Sequence, residues 1–103
     1  MARTIIKLNF SDFTRAENNI KQILYTNNFK QTIINSEVVW KKGGALIGGQ
    51  CLKIDFSENQ ITISAWITPF LGGEEEYSLE GFSAIIPKKQ LLSVIEQIKI
   101  AIQ

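Results

Sequence analysis

A chain of 103 residues, of which 45% are hydrophobic and 20% charged, has the length of one domain and the composition of a folded protein. Its 11 basic residues against 10 acidic ones give a net charge of +1, which offers no support for binding to nucleic acid or to an anionic membrane. The chain has no histidine, the commonest general base and metal ligand, and its one cysteine, Cys51, excludes an intrachain disulfide.

The first two predicted elements are a strand and a helix. Polar and apolar side chains alternate over residues 4–10, which predicts a strand with one buried face. Thr14 and Glu17 have the spacing of a capping box, so a helix is predicted from about residue 14 to residue 27, with Thr14 as its N-cap. Asn27 and Asn28 suit a left-handed helix end.

Four more strands are predicted after this helix, at residues 38–42, 50–57, 60–68 and about 77–82. A two-residue turn at Glu58-Asn59 would join the middle two of these strands. With that turn, every pair on one face of the hairpin is apolar: Phe56 with Ile61, Ile54 with Ile63, and Leu52 with Ala65. A slip of one residue would destroy this sorting, so the register is strongly specified.

The same register sorts the side chains between the two faces of the sheet. A hairpin through the glycine-rich segment at residues 43–49 pairs Trp40 with Leu52 and Val38 with Ile54, which places Trp40 on the apolar core face. The opposite face then carries the pairs Cys51 with Trp66, Lys53 with Ser64, and Asp55 with Thr62.

A second helix is predicted at the end of the chain. Pro87 suits its first turn, and an apolar stripe follows at Leu91, Ile95, Ile98 and Ile102. The order strand, helix, four strands, helix predicts an α+β fold in which both helices pack on one face of a five-stranded antiparallel sheet. That order is similar to the TATA-binding-protein-like fold and to short helix-grip folds, but a fold by itself carries no function.

Four short segments carry a resemblance to a known family. They are Val39-Trp40-Lys41, Ala65-Trp66-Ile67, Gly81-Phe82 and Ile86-Pro87-Lys88-Lys89. Together they resemble a small single-domain family of low-GC Gram-positive bacteria, and the likeness covers nearly the whole chain. No activity is established for that family, so the resemblance implies one domain and adds no chemistry.

The glycine-rich segment at residues 43–49 is the most conspicuous candidate site. It lacks the spacing of a phosphate-binding loop and leads into a strand rather than a helix. One interpretation is a simple hairpin connection. The other is a flap whose Leu46 and Ile47 touch a ligand or partner.

No constellation of residues indicates catalysis. Cys51 has no histidine to activate it, so a structural thiol is expected. The run Glu74-Glu75-Glu76 does not have the spacing of a calcium loop and is expected to be a solvated loop. We therefore expect no enzyme activity, no cofactor and no bound metal.

Trp66 is the main candidate for a binding residue. It is predicted on the face opposite the helices, among Thr62 and Ser64 and beside Cys51 and Lys53. An exposed tryptophan there would suit an interface anchor, because it combines a large area with few rotatable bonds. The alternative is a ring that lies over Lys53 or Cys51 and shields the sheet without a partner.

The leading hypothesis is a non-enzymatic interaction module that uses the open sheet face around Trp66 to bind a protein partner or a second copy of itself. The alternative is a carrier of a small apolar molecule between sheet and helices, near Trp40, Leu52 and Ile95, with residues 43–49 as its gate. The start of the chain lacks the pattern of a signal peptide, and no apolar run is long enough to span a bilayer, so a cytoplasmic location is expected.

Overall fold

The structure is a computed structural model, and it describes residues 3–44, 48–68, 79 and 85–102. The predicted fold class is confirmed: the chain has the β-α-β4-α order of an α+β protein. The elements are β1 (Thr4–Asn9), α1 (Phe13–Thr26), β2 (Lys30–Ile34), β3 (Glu37–Gly44), β4 (Gly48–Phe56), β5 (Gln60–Ile67) and α2 (Ile85–Ile102).

The strands form one antiparallel sheet in the order β1-β5-β4-β3-β2. The first strand therefore lies beside the last described one, and α1 carries the chain from one edge of the sheet to the other. Both helices contribute to the larger hydrophobic core on one face of the sheet, as predicted. We call this the helix side, and the opposite face the outer face.

Helix α1 begins earlier than the sequence predicts. Its N-cap is Asp12, whose carboxylate accepts a hydrogen bond from the backbone N–H of Arg15 at 3.1 Å. The prediction of Thr14 as N-cap is wrong, because Asp12 caps the helix equally well and brings Phe13 into its first turn. There the ring of Phe13 lies edge-on to that of Phe56, with 4.8 Å between centroids.

The predicted left-handed end of α1 is confirmed at Asn28, which has a φ of 68°. The N–H of Asn28 donates to the carbonyl of Tyr25 at 3.0 Å, and the N–H of Phe29 donates to that of Leu24 at 2.9 Å. These two bonds form a Schellman motif, with asparagine at the position that requires a positive φ. The motif turns the chain into β2 and buries Phe29 in the core.

One strand differs from the prediction. Strand β2 was not expected, and it joins β3 through a tight turn at Asn35 and Ser36, whose φ angles are 50° and 66°. The strand predicted at residues 77–82 lies outside the described residues, apart from Leu79. That residue is buried, and its N–H donates to the side-chain hydroxyl of Thr4 at 2.9 Å.

The predicted register of β4 with β5 is confirmed in full, and that of β3 with β4 is confirmed for Trp40 with Leu52, while the predicted pair of Val38 with Ile54 is not among the paired residues of these two strands. Strands β4 and β5 meet in all six predicted pairs, and the N–H of Ser57 closes the turn onto the carbonyl of Gln60 at 2.8 Å. Strands β3 and β4 pair from Trp40 with Leu52 to Gly44 with Gly48. Because the register decides which face each side chain takes, Trp40 lies on the helix side and Trp66 on the outer face.

Helix α2 covers the middle of the sheet with its predicted apolar stripe. Leu91, Ile95 and Ile98 are buried, and Ile102 packs against the same core. The outer face has a smaller buried cluster of its own: Val39, Cys51 and Trp66, with Ile34 packed against it. We call this the outer-face cluster.

Candidate interaction site

Trp66 lies where the register predicts but is not exposed. It sits on the outer face beside Cys51, and only 2% of it is accessible to solvent. The expectation of an exposed tryptophan is therefore wrong. The alternative, a ring that shields the sheet, comes closer, because Trp66 packs against Cys51 in the outer-face cluster.

The side chain over Trp66 is that of Arg3. The register of β1 against β5, which pairs Thr4 with Ala65, brings Arg3 next to Trp66. The guanidinium carbon lies 3.9 Å from the centre of the tryptophan ring, which is a close cation–π contact. The apolar ring is thus covered by a charged group rather than left for a partner.

Arg3 is held in place by a carboxylate from the far side of the sheet. Its two terminal nitrogens donate to the two oxygens of Glu37 at 3.3 Å and 2.9 Å. Lys53 donates to the same carboxylate at 3.1 Å, and its ammonium lies 3.8 Å from Asp55. A network of paired charges therefore covers the outer-face cluster on its solvent side.

The network changes the acidity of its central carboxyl group. Hydrogen bonds from Arg3 and then from Lys53 lower the pKa of Glu37 from 4.5 to about 2, against a smaller opposing effect of desolvation. Glu37 therefore stays ionised well into the acid range. Because Glu37 keeps its negative charge, it holds Arg3 and Lys53 in place. This role is structural and is not that of a general acid.

Three of the remaining predicted site residues lie on the outer face, and two lie outside the described residues. Ser64 is buried and Thr62 is half-buried, both on the outer face as predicted. Cys51 is fully buried, consistent with a structural thiol. Leu46 and Ile47 lie outside the described residues, so the predicted flap stays a prediction.

The sequence missed the residues that close the outer face, although a partial signal was present. Arg3 has the same parity as Ile5 and Lys7, which places it on the outer face once β1 is recognised. Nothing local predicts that β1 lies beside β5, however, and Glu37 belongs to a strand two positions further across the sheet. The contact therefore depends on the tertiary arrangement.

Of the exposed apolar residues of the sheet, Ile5 is alone on the outer face, whereas Ile33 and Val38 lie side by side on the helix side. A row of apolar side chains lies there, with Ile63 between Ile6 and Ile54, and Ile33 opposite Val38 at the β2 edge. The register of Trp40 with Leu52, continued by two residues, aligns these two parts of the row. Exposure rises along the row from 0% at Ile63 to 52% at Val38 and 71% at Ile33. We call the exposed part, on β2 and β3, the open half.

A groove separates the open half from helix α1. Its volume is about 200 Å³, and it is open to solvent. The floor is formed by strand residues and one wall by the helix: Gln31, Trp40, Ile54 and Phe56 from the sheet, and Glu17, Ile20 and Lys21 from α1. The helix wall is close to neutral, since Glu17 and Lys21 pair with each other at 3.9 Å.

Aromatic rings stand at both ends of this groove. Tyr25 lies edge-on to Trp40, with 5.1 Å between centroids, and Phe13 lies edge-on to Phe56. Both Tyr25 and Phe13 are about half exposed. Two half-exposed aromatic rings thus adjoin a groove whose own lining is partly polar.

The three residues proposed to line a carrier cavity all belong to the helix-side core. Leu52 and Ile95 are buried in the helix-side core, and of the three only Trp40 lines the groove described above. That groove is open to solvent, and the carrier with residues 43–49 as its gate stays a prediction.

No protein-family model, no curated protein and no solved structure matches this chain. Within the described ranges, no group of three or more His, Cys, Asp or Glu residues could hold a metal ion. No helix in those ranges is both long and apolar enough to cross a membrane. Function is therefore argued from the surface of the molecule itself.

Proposed function

We propose that this protein is a non-enzymatic, cytoplasmic interaction module whose partner binds the open half of the sheet. The observation that carries the proposal is the apolar row that crosses the sheet and becomes exposed at Val38 and Ile33. Large contiguous patches of exposed apolar side chains on a folded domain mark interaction surfaces, and the open half with the aromatic rings beside the groove is the patch proposed here.

The sequence also suggests an interaction module, but with its binding surface around Trp66 on the outer face. The proposal places the binding surface on the helix side instead. Trp66 is unsuited to anchor a partner, because Arg3 and Glu37 already occupy the space above it. On the helix side, in contrast, the helices leave Ile33 and Val38 without a covering layer among the described residues. A partner there would bury apolar area without first displacing an ion pair.

The test is native mass spectrometry of the protein purified gently from its own cells, with three variants measured in parallel. Ile33→Thr and Val38→Thr remove apolar area from the open half and keep a β-branched side chain suited to a strand. Ile100→Thr is the matched control, because Ile100 is also exposed, at 65%, but lies on helix α2.

We expect the wild-type protein and Ile100→Thr to carry the same partner, or a second copy, and the two strand variants to lose it. A bare monomer in every sample would contradict the proposal. So would a complex that all three variants retain equally, because the partner would then sit on another surface.

A further inference from the structure

Resting on the function proposed above, we propose that the partner is an extended peptide segment that pairs with β2 as a sixth strand. In this segment, apolar side chains alternate with acidic ones. The apolar residues face the open half of the helix side, and the acidic residues face the outer side of the sheet. Three features of β2 lead to this inference: its free edge, its apolar side and its unbalanced charge.

Strand β2 is an edge strand that pairs only with β3 among the described strands. The tight turn at Asn35-Ser36 makes Ile34 and Glu37 a hydrogen-bonded pair, so every second residue from Ile34 directs its backbone towards β3. The N–H and C=O groups of Gln31 and Ile33 therefore point away from the sheet. They form the hydrogen-bonding edge that an added strand requires.

The edge is short and begins with the charge of Lys30, both of which oppose strand addition, but it lacks two other protective devices. Over its five residues it has no proline, and no described segment lies across it. Its helix-side residues are Gln31, which lines the groove, and Ile33, the most exposed residue of the apolar row. An apolar side chain on an adjacent strand would stand next to both, since neighbouring strands are about 4.8 Å apart.

The outer side of the same edge has an excess of positive charge. Lys30 of β2 pairs with Lys41 of β3 in the register, and like charges on neighbouring strands repel each other, although the Lys41 stem extends over Gly49 of β4 and so lengthens the separation. Neither ammonium forms an ion pair with a carboxylate of the described residues. The nearby carboxylate of Glu37 is already held by Arg3 and Lys53.

An acidic residue on the added strand, opposite Lys30, would relieve this repulsion. Side chains alternate between the two faces of a strand, so the acidic residues of the segment fall on the outer side when its apolar residues fall on the helix side. The combination of free backbone groups, apolar surface and lysines without an ion pair to the described carboxylates thus specifies a segment of alternating acidic and apolar residues.

The test uses short fluorescein-labelled peptides in which Glu alternates with Ile or Val, and matched peptides in which Lys replaces Glu. Binding is measured by fluorescence anisotropy with the full chain. We expect the Glu peptides to bind more tightly, and Lys30→Glu to weaken them by roughly two- to fivefold and to favour the Lys peptides, as expected for an exposed ion pair. Lys99→Glu, on helix α2, is the control and should change neither the affinity for the Glu peptides nor that for the Lys peptides.

Amide exchange followed by NMR tests the geometry. At a peptide concentration ten times the Kd, the outward amides of Gln31 and Ile33 should exchange about tenfold more slowly, because only the free protein exchanges. Binding without this protection would overturn strand addition. Equal affinity for Glu and Lys peptides would overturn the acidic partner.

Two other outcomes separate this inference from the proposed function. Loss of the cellular complex in Ile33→Thr, with no peptide binding, would overturn strand addition and leave the open half as an interaction surface. A dimer that protects Gln31 and Ile33 by itself would overturn the acidic peptide in favour of a second copy of this chain.

Discussion

The two faces of the sheet each carry one buried tryptophan, and different groups cover the two rings. Trp66 on the outer face is roofed by Arg3 and by the charges that hold it. Trp40 on the helix side is buried from above, but its flank opens into a groove beside exposed apolar residues. Both rings lie in equally ordinary strand positions, so the difference comes from what lies over them.

The comparison shows why a tryptophan opposite the helices need not be a binding residue. A face without a covering helix can still be closed by long charged side chains, since arginine spans several ångströms and stacks on an aromatic ring. Conversely, a face covered by helices is open wherever the helices end. The position of a functional surface therefore depends on the extent of the cover, not on which face carries the helices.

The largest effect is expected at Trp66. Trp66→Ala removes the largest member of the outer-face cluster and should lower the free energy of unfolding by about 3–5 kcal/mol in urea denaturation. If Trp66 were exposed, as the sequence pattern predicts, such a substitution would leave the fold intact. Ile100→Ala is the control and should cost little, and a similarly small loss at Trp66 would show that the outer face is not sealed.

The next effect is at the end of the outer face, at Gly49. A Cβ atom there would overlap with the hydroxyl of Thr68, which accepts a hydrogen bond from the Gly49 N–H at 2.7 Å. Gly49→Ala should therefore destabilise the protein by about 1–3 kcal/mol in urea denaturation. In a double-mutant cycle, adding Thr68→Ala should recover part of the loss, and strict additivity would contradict the overlap.

A smaller, stabilising effect is expected in the turn that sets the register of β2 and so places Ile33 on the open half. Ser36 has a φ of 66°, which is unfavourable for a residue with a side chain. Ser36→Gly should raise the free energy of unfolding by about 0.5–1 kcal/mol, since glycine adopts a positive φ freely. Ser93→Gly, inside helix α2, should instead destabilise, and a loss at both positions would argue against this turn.

The smallest effect concerns the charges over Trp66. The pKa of Glu37 is about 2 in the folded protein against 4.5 ordinarily, so its ionised form favours folding above pH 4.5, and this contribution is lost as the pH falls towards 2. Glu37→Gln removes it at every pH. The difference in melting temperature between wild type and variant should therefore be widest near neutral pH and close towards pH 2.

The control for this pH series is Glu96→Gln, which alters an exposed carboxyl group on helix α2 without an ion pair to the described residues. Its difference from wild type should stay small throughout. If the difference in melting temperature between wild type and Glu37→Gln were unchanged at pH 2, the variant would have lost packing rather than the charge pairs.

Strand β2 shows the limit of a prediction from periodicity. Its five residues have an exposed or half-buried pattern, so the alternation that marks a strand with one buried face is absent. The turn at Asn35-Ser36 was a usable signal, because a two-residue turn there pairs Ile33 with Val38. Without it, the open half of the sheet could not be predicted.

The sequence by itself determined the pairing of β3, β4 and β5 and the face that each side chain takes. These strands are neighbours along the chain, so turn length and apolar alternation are enough to set the register. Tertiary structure alone decided that Arg3 lies over Trp66 and that the helices stop short of Ile33. Both depend on elements distant in sequence, and burial is a property of everything packed around a side chain rather than of its local pattern.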